Sequence, residues 1–240
     1  MKIGGKTHCG YQREINQDYF VYGRNGSFSY IIVADGMGGH LAGEIASKKA
    51  VNFLANELEN NDDIIQLKTL IEQVNEELYK ISNEKESLKG MGTTLSVVII
   101  SNGYLNVGHV GDSRVYLLRD KQLLQLTNDH SLVADLVRHG QLTEEEAEKH
   151  PQRNVLTQAV GTDSIIEVQS RSHRLKSYDK ILLCTDGLTK CLTDTEIAEL
   201  MMESEVEDIC DKLIGAALNQ GGTDNVTVAI ADVGDIKEVN

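Results

Sequence analysis

Hydrophobic positions recur along the chain in two patterns, and each pattern predicts a different type of secondary structure. Residues 28–34 are rich in β-branched and aromatic side chains and run up to Asp35-Gly36, which predicts a strand. Two later stretches, at about 42–58 and 62–81, space their apolar residues by three and four, which predicts helices. The second stripe could be a coiled-coil seam, but it is shorter than three heptads. Packing of a long helix against its neighbour or a sheet is therefore favoured.

In the middle of the chain, the pattern of hydrophobic positions becomes typical of strands. Residues 95–101 and 104–110 flank Asn102-Gly103, and Asn-Gly is the strongest two-residue signal for a hairpin turn. Strand patterns at 113–119 and 122–126 predict that the hairpin continues as an antiparallel meander.

The second half of the chain combines helices with two further strands. Residues 129–160 are polar and predicted to be mostly helical, with a capping box at Thr143 and Glu146. After them come a strand at 181–185, a capping box at Thr193 and Glu196, two helices to about Leu218, and a strand at 225–233. Runs of strands and paired helices favour an α+β layered sandwich over a doubly wound sheet. No linker or repeat interrupts the pattern, so 1–240 is predicted to be a single domain.

Composition and charge narrow the possible functions. The chain has 240 residues, of which 40% are hydrophobic, so it can bury a sizeable core. Its formal net charge is −14, which argues against nucleic acid as a partner, because phosphate backbones need clustered Lys and Arg. An anionic substrate would need a local positive centre, and a bound divalent metal supplies one.

The sequence predicts a cytoplasmic protein with no membrane partner. The first residues lack the apolar core of a signal peptide, and the longest aliphatic runs are far too short to span a bilayer. The four cysteines are scattered without CxxC spacing, which is typical of reduced thiols.

Five aspartates are candidate metal ligands. Four of them lie at the end of a strand-like segment or just beyond one, mostly beside glycine. The five are Asp18, Asp35, Asp112, Asp186 and Asp224. Each alone is explained by the preference of Asp and Gly for turns and caps. Carboxylates gathered at one end of a sheet, however, repel one another unless cations neutralise them. An oxygen-only ligand set suits Mg²⁺ or Mn²⁺, and the histidines show no zinc-site spacing.

Seven motifs in order resemble the signature of a known family. They are Arg13-x-x-Asn16-Gln17-Asp18, Asp35-Gly36-Met37-Gly38-Gly39-His40, Gly92-Thr93-Thr94, Gly111-Asp112-Ser113-Arg114, Asp129-His130-Ser131, Thr185-Asp186-Gly187-Leu188 and Gly222-Thr223-Asp224-Asn225-Val226-Thr227. This set is similar to the metal-dependent protein phosphatases of the PPM (type 2C) family, and to its bacterial, single-domain members. The resemblance runs from about Lys6 to Val233.

The resemblance implies a fold and a set of ligands. The expected fold is a four-layer αββα sandwich, with two central antiparallel sheets flanked by helix pairs and metals at one end of the sheets. Two Mn²⁺ or Mg²⁺ ions are expected, with a possible weaker third. The implied roles are Asp35 as the bridge between two ions, Asp186 and Asp224 as ligands of the first, the Gly36 carbonyl as a ligand of the second, Asp18 through a metal-bound water, and Asp112 with Asp186 at the third.

The resemblance also implies the reaction. Water activated by two metals attacks the phosphorus of phosphoserine or phosphothreonine directly, and Arg13 grips the phosphate. Animal members carry a histidine, proposed as general acid, where this chain has Met37. His40 is a possible substitute, although a histidine at a helix start or on the surface is at least as common.

The segment at 129–160 resembles the family's flap. We expect a short amphipathic helix at 131–139, and positive charge from Arg138, His139 and Arg153 that helps to select substrates. Ordinary solubilising charges are an equal alternative. The expected partners are phosphoproteins, those of a cognate Ser/Thr kinase in particular, and a monomer is expected. Two other functions stay open: a catalytically silent phosphoprotein-binding relative and a metal-dependent phosphodiesterase.

Overall fold

The computed structural model describes residues 1–26, 28–39, 41–61, 66–202 and 205–236. The strands are β1 (Lys2–His8), β2 (Asp18–Asn25), β3 (Phe28–Met37), β4 (Gly92–Thr93), β5 (Leu95–Ser101), β6 (Tyr104–Val110), β7 (Arg114–Arg119), β8 (Gln122–Gln125), β9 (Gln169–Arg174), β10 (Lys180–Cys184) and β11 (Val226–Asp232). The helices are α1 (Ala42–Asn60), α2 (Leu67–Glu84), α3 (Leu132–Arg138), α4 (Glu144–Glu148), α5 (Asp186–Thr189), α6 (Asp194–Met202) and α7 (Val206–Asn219).

The strands form two antiparallel sheets. One has the order β1-β11-β10-β7-β8, and the other has the order β2-β3-β5-β6-β9, with β4 paired to β3. Since β1 and β2 are consecutive in the chain but lie at the edges of different sheets, the loop between them joins the two sheets.

Alternation along the central strands produces the layers. On β3, the side chains of Tyr30 and Ile32 pack with those of α1 and α2, while Ile31 and Val33 pack against the other sheet. Successive residues of a strand point to opposite faces, so a strand that is apolar at every position is buried on both sides.

The second sheet repeats this arrangement on its own helices. On β10, Leu182 and Cys184 pack with α6 and α7, whereas Ile181 and Leu183 face the first sheet. Three apolar layers therefore separate four layers of structure, and the predicted αββα sandwich is confirmed.

The prediction was closest where a turn signal bounded an apolar run. The hairpin strands β5 and β6 have the predicted bounds, and α1, β10 and β11 begin and end within two residues of theirs. The helix predicted at 62–81 is observed as α2, and its expected first turn at 62–65 lies outside the described residues. Its apolar stripe is buried in the core with α1, as the favoured interpretation predicted.

Two predictions about the strands were wrong, and several strands were not predicted. The meander does not exist, because β6 pairs with β9 and β7 belongs to the other sheet. The strand expected to stop at Asp35-Gly36 continues to Met37, since Gly36 and Met37 pair with β4. Strands β1, β2, β4 and β9 were not predicted.

The flap is less helical than expected. Helices cover only Leu132–Arg138 and Glu144–Glu148 of the described flap, and turns make up much of the rest. The capping box of Thr143 and Glu146 is present. Among the described residues, no helix has both the length and the apolar content to cross a bilayer.

Candidate metal centre

Two of the predicted aspartates face each other across paired strands. Asp18 at the start of β2 is the direct partner of Asp35 on β3. The backbone of Asp35 is held by the Gly92-Thr93-Thr94 motif: its N–H donates to Thr94 Oγ1 at 2.8 Å, and its carbonyl accepts from Thr93 Oγ1 at 2.9 Å. This motif therefore fixes the position of Asp35.

The Asp18 carboxylate is buried, and only one of its two oxygens accepts hydrogen bonds. Its Oδ2 accepts hydrogen bonds from the hydroxyls of Thr185 at 2.8 Å and Thr227 at 2.7 Å, on the other sheet. Its Oδ1 is buried and has no hydrogen-bond partner. Burial raises the pKa of Asp18 to about 7, against the opposing effect of the two threonine hydroxyls.

Asp35 and Asp112 lie in the same field of negative charge. Burial raises the pKa of Asp35 well above its usual range, and the charges of Asp18, Asp186, Asp112 and Asp224 raise it further. Burial also raises the pKa of Asp112 to about 7, with Asp186 as the next contribution. Asp112 lies in the crossing between the sheets, where Gly111 has a φ of +109° that favours glycine.

Asp186 begins the short helix α5 directly after β10. The glycine beside it is required by packing, because a Cβ on Gly187 would lie 1.9 Å from the Asn225 carbonyl oxygen. Burial raises the pKa of Asp186, although the Lys190 ammonium opposes the shift. Lys190 forms an ion pair with Asp186 Oδ2.

Gly36 has the same kind of packing role. A Cβ on Gly36 would lie 2.1 Å from the carbonyl oxygen of Gly43 on α1. Glycine beside an acid can also allow a ligand to approach the backbone closely. The close approach observed at Gly36 and Gly187 is instead to the protein's own backbone.

Arg13 is carried by a loop that one side chain ties to the site. Its guanidinium forms an ion pair of 2.9 Å with Asp224 Oδ1. Asn225 accepts from the Gln17 N–H at 2.8 Å and donates to the carbonyls of Cys9 at 2.8 Å and Ile15 at 3.0 Å. The loop that bears Arg13 is thereby joined to the residue after Asp224.

These residues surround one cavity of about 520 Å³. Its lining includes Arg13, Asp35, Gly36, Asp112, Asp186 and Asp224 on the side of the sheets. Further lining comes from the end of the flap and the residues just after it: Asn154, Leu156, Thr157, Gln158, Ala159, Thr162 and Asp163. Asp18 lies buried behind this lining, and His40 is outside the described residues. The fold therefore brings the predicted residues that it describes to one place.

The donor set fits hard divalent cations. Oδ1 of Asp18 and Oδ1 of Asp186 are both buried without a hydrogen-bond partner, which is costly for a carboxylate unless a cation neutralises it. As their side chains stand, no three His, Cys, Asp or Glu among the described residues are arranged to hold a metal. Asp186 and Asp224 are instead paired with Lys190 and Arg13. Each carboxylate has two oxygens, so a shared ion would compete with these partners without having to displace both of them.

Sequence reasoning did not single out two residues of the site. Lys190 stands four residues after Asp186, a spacing at which opposite charges meet on a helix, and this could have identified it. Asn225 lies within one of the seven motifs, but its side chain forms hydrogen bonds to residues more than 200 positions away, which no local pattern reveals.

Comparisons with known proteins agree with the fold and the motifs. The family model for protein phosphatase 2C matches residues 5–221. The chain is similar to the protein phosphatase PhpP of Streptococcus pneumoniae, with 39% identity over 98% of each chain. Its structure is similar to that of serine/threonine phosphatase Stp1 from Staphylococcus aureus, with a TM-score of 0.92 and 38% identity over 97% of this chain and 94% of that one.

A further similar structure contains metal. It is the catalytic domain of the serine/threonine protein phosphatase PstP in complex with two manganese ions, with a TM-score of 0.88 and 34% identity over 98% of each chain. The fold is that of serine/threonine phosphatases with two central antiparallel sheets. The chain belongs to the protein phosphatase 2C family.

Proposed function

We propose that this protein is a metal-dependent protein serine/threonine phosphatase that uses the cavity described above. The observation that carries the proposal is the gathering of Asp35, Asp112, Asp186, Asp224 and Arg13 around one cavity in a chain of this family. A strongly acidic chain has few other places for a phosphate group, since carboxylates repel it unless cations intervene.

Two Mn²⁺ or Mg²⁺ ions, when bound, supply a water whose pKa is lowered enough to attack phosphorus. Asp35, which lies in the field of the four other aspartates, would hold both ions, Asp186 and Asp224 would hold the first, and the Gly36 carbonyl would hold the second. Asp18 uses its free Oδ1 to orient water within the site. Asp112, beside Asp186, contributes to a third and weaker cation position.

Arg13 binds the substrate phosphate. Its side chain is 52% exposed and faces the cavity, so its planar fork can take two phosphate oxygens where lysine would offer a point charge. The ion pair with Asp224 holds the guanidinium at the site. Protonation of the leaving oxygen by His40 stays a prediction, because that residue is outside the described ones.

The substrates are phosphoproteins. Relatives of this chain are named protein phosphatases, and a cognate Ser/Thr kinase is the natural source of their substrates. The end of the flap lines the cavity, and this supports a role for the flap in selecting substrates. A monomeric, single-domain cytoplasmic protein completes the proposal.

Two substrates distinguish this function from the alternatives. We expect hydrolysis of a phosphothreonine peptide that requires Mn²⁺, and far weaker hydrolysis of a bis-aryl phosphodiester. A preference for the diester would favour a phosphodiesterase. Binding of the phosphopeptide without turnover at saturating Mn²⁺ would favour a catalytically silent relative.

A further inference from the structure

The ammonium group of Lys190 lies among the carboxylates that the proposed function assigns to metal ions. It forms an ion pair with Asp186 Oδ2 and lies 3.3 Å from Asp224 Oδ2. Lys190 follows the last residue of α5, and Asp186 is the first, so one helical turn brings the two side chains together. Lys190 also lines the same cavity as both aspartates.

These ion pairs are better shielded than an exposed lysine pair on a helix surface. The side chains of Lys190, Asp186 and Asp224 are 33%, 14% and 19% exposed. Lys68 and Glu72 on α2, by comparison, are 59% and 46% exposed and 3.9 Å apart. Because water screens charges less effectively in the cavity, the Lys190 contacts carry more weight than an exposed pair.

A carboxylate oxygen that pairs with an ammonium group has part of its negative charge neutralised, and it is therefore a weaker ligand for a metal. The Lys190 contacts use Oδ2 of both aspartates, so a divalent cation bound at those oxygens competes with Lys190 there. The displaced ammonium would remain close to the new cation, and like charges repel at such distances.

We propose that Lys190 is an internal counter-cation that competes with divalent metal ions for Asp186 and Asp224. Lys190 neutralises these carboxylates when metal is scarce. The same ion pairs lower the affinity of the site for divalent metal ions. The inference rests on the metal site of the proposed function, and it assigns a further residue to that site.

The test compares Lys190→Gln and Lys190→Arg with the wild type and with Lys68→Gln, which removes a lysine ion pair outside the cavity. Mn²⁺ binding is measured by calorimetry, and thermal unfolding is followed in EDTA and in saturating Mn²⁺. An opposite charge at this range changes the affinity of a carboxylate for a proton by about tenfold or more. Because Mn²⁺ is also a cation, we expect Lys190→Gln to bind Mn²⁺ more tightly by at least about that factor.

Lys190→Gln should also unfold at a lower temperature in EDTA and gain more from Mn²⁺ than the wild type gains. Lys190→Arg and Lys68→Gln should keep the wild-type affinity for Mn²⁺. Equal losses of stability in EDTA and in Mn²⁺, with unchanged affinity, would mean that Lys190 is merely structural and would overturn the proposal. It would also be overturned if Lys190→Arg bound Mn²⁺ as tightly as Lys190→Gln.

These readouts need no substrate, so they separate this inference from the function on which it rests. A wild type that binds Mn²⁺ but does not hydrolyse phosphopeptides overturns the phosphatase assignment and leaves the competition measurable. A wild type that binds no Mn²⁺ overturns both.

Discussion

Asp18 and Asp35 are direct cross-strand partners, so two carboxylates stand on the same face of an antiparallel pair at the edge of the cavity. Like charges in this position destabilise a sheet. Asp18 keeps one oxygen satisfied by two threonines of the other sheet, and its second oxygen has no partner. The fold therefore accepts an electrostatic cost at this point, which is characteristic of a functional site.

Asp35→Asn tests whether the electrostatic cost of placing Asp18 beside Asp35 serves metal binding and catalysis. The variant keeps the shape of the side chain but removes a charge from the group of carboxylates. We expect phosphopeptide hydrolysis in Mn²⁺ to fall by more than about a hundredfold, because even the outer partners of a metal site contribute up to that factor. In EDTA, the free energy of unfolding should rise by about 0.5–1 kcal/mol as repulsion is relieved.

Asp120→Asn is the matched control, since it makes the same chemical change in an exposed turn remote from the cavity. It should leave activity and stability unchanged. Full activity in Asp35→Asn would contradict the bridging role.

Asn225 is expected to act through Arg13. Asn225→Ala removes the hydrogen bonds that tie the Arg13 loop to the residue after Asp224, and small displacements of a binding group are costly. We expect kcat/KM for a phosphopeptide to fall by about ten- to a hundredfold. Steady-state kinetics of Asn225→Ala, Arg13→Ala and the double variant measure the coupling, and the two effects should not add.

A stability control is available on β2. Asn25 donates to the carbonyls of Leu58, Glu59 and Asn61, so Asn25→Ala loses a comparable set of hydrogen bonds far from the cavity. Both Asn variants should lose about 1–3 kcal/mol of unfolding free energy. If Asn25→Ala lowered kcat/KM equally, or if the effects of Arg13→Ala and Asn225→Ala were additive, the positioning role would be wrong.

His109 predicts a dependence of stability on pH. Its ring is fully buried: Nε2 donates to the Gly111 carbonyl at 2.9 Å, and Nδ1 accepts from Ser96 Oγ at 2.9 Å. Burial, followed by the charge of His130, lowers the pKa of His109 to about 3. The unfolded chain takes up a proton near pH 6.5, whereas the folded chain does not, so stability falls as the pH drops below 6.5.

This contribution should amount to a loss of about 2 kcal/mol between pH 7 and pH 5. Asp18 and Asp112, with raised pKa values, act in the opposite direction, and for this reason the test is a difference between variants. Urea unfolding at both pH values should show a less negative change for His109→Gln than for the wild type. His139→Gln, which alters an exposed histidine, should behave as the wild type. Identical changes in all three proteins would refute the prediction.

The sequence predicted the fold best where local and tertiary signals agree. At Asn102 and Gly103, φ values of 50° and 76° match the turn that Asn-Gly favours, and both flanking strands have their predicted bounds. The meander failed because pairing between sequence neighbours was assumed, whereas Gly111 lies where the chain crosses to the other sheet. Strand β9 is a largely exposed polar segment at the end of its sheet, and its pairing with β6 is what makes it a strand.

The site also divides into features that the local sequence predicts and features that depend on contacts between distant segments. The acids were recognisable because glycines, strand ends and ordered motifs surround them. Contacts between distant segments were not: Asp18 meets Thr185 and Thr227 only after the two sheets pack face to face. Lys190 lies close to Asp186 in the sequence, yet its contact with Asp224 depends on the packing of α5 beside the loop before β11.

Arg153 tests the flap. It is exposed and directly precedes Asn154, which lines the cavity, while Arg153 itself is not part of that lining, so we expect it to contact the peptide rather than the reacting phosphate. An exposed charge contact contributes up to about 1 kcal/mol, and we expect Arg153→Ala to lower kcat/KM for an acidic phosphopeptide by about fivefold. Hydrolysis of a small aryl phosphate should not change. Lys149→Ala, an exposed lysine of the same segment, controls for the general loss of positive charge. If Arg153→Ala slowed both substrates equally, the flap would have no part in recognising the peptide, because an aryl phosphate has no flanking residues for Arg153 to contact.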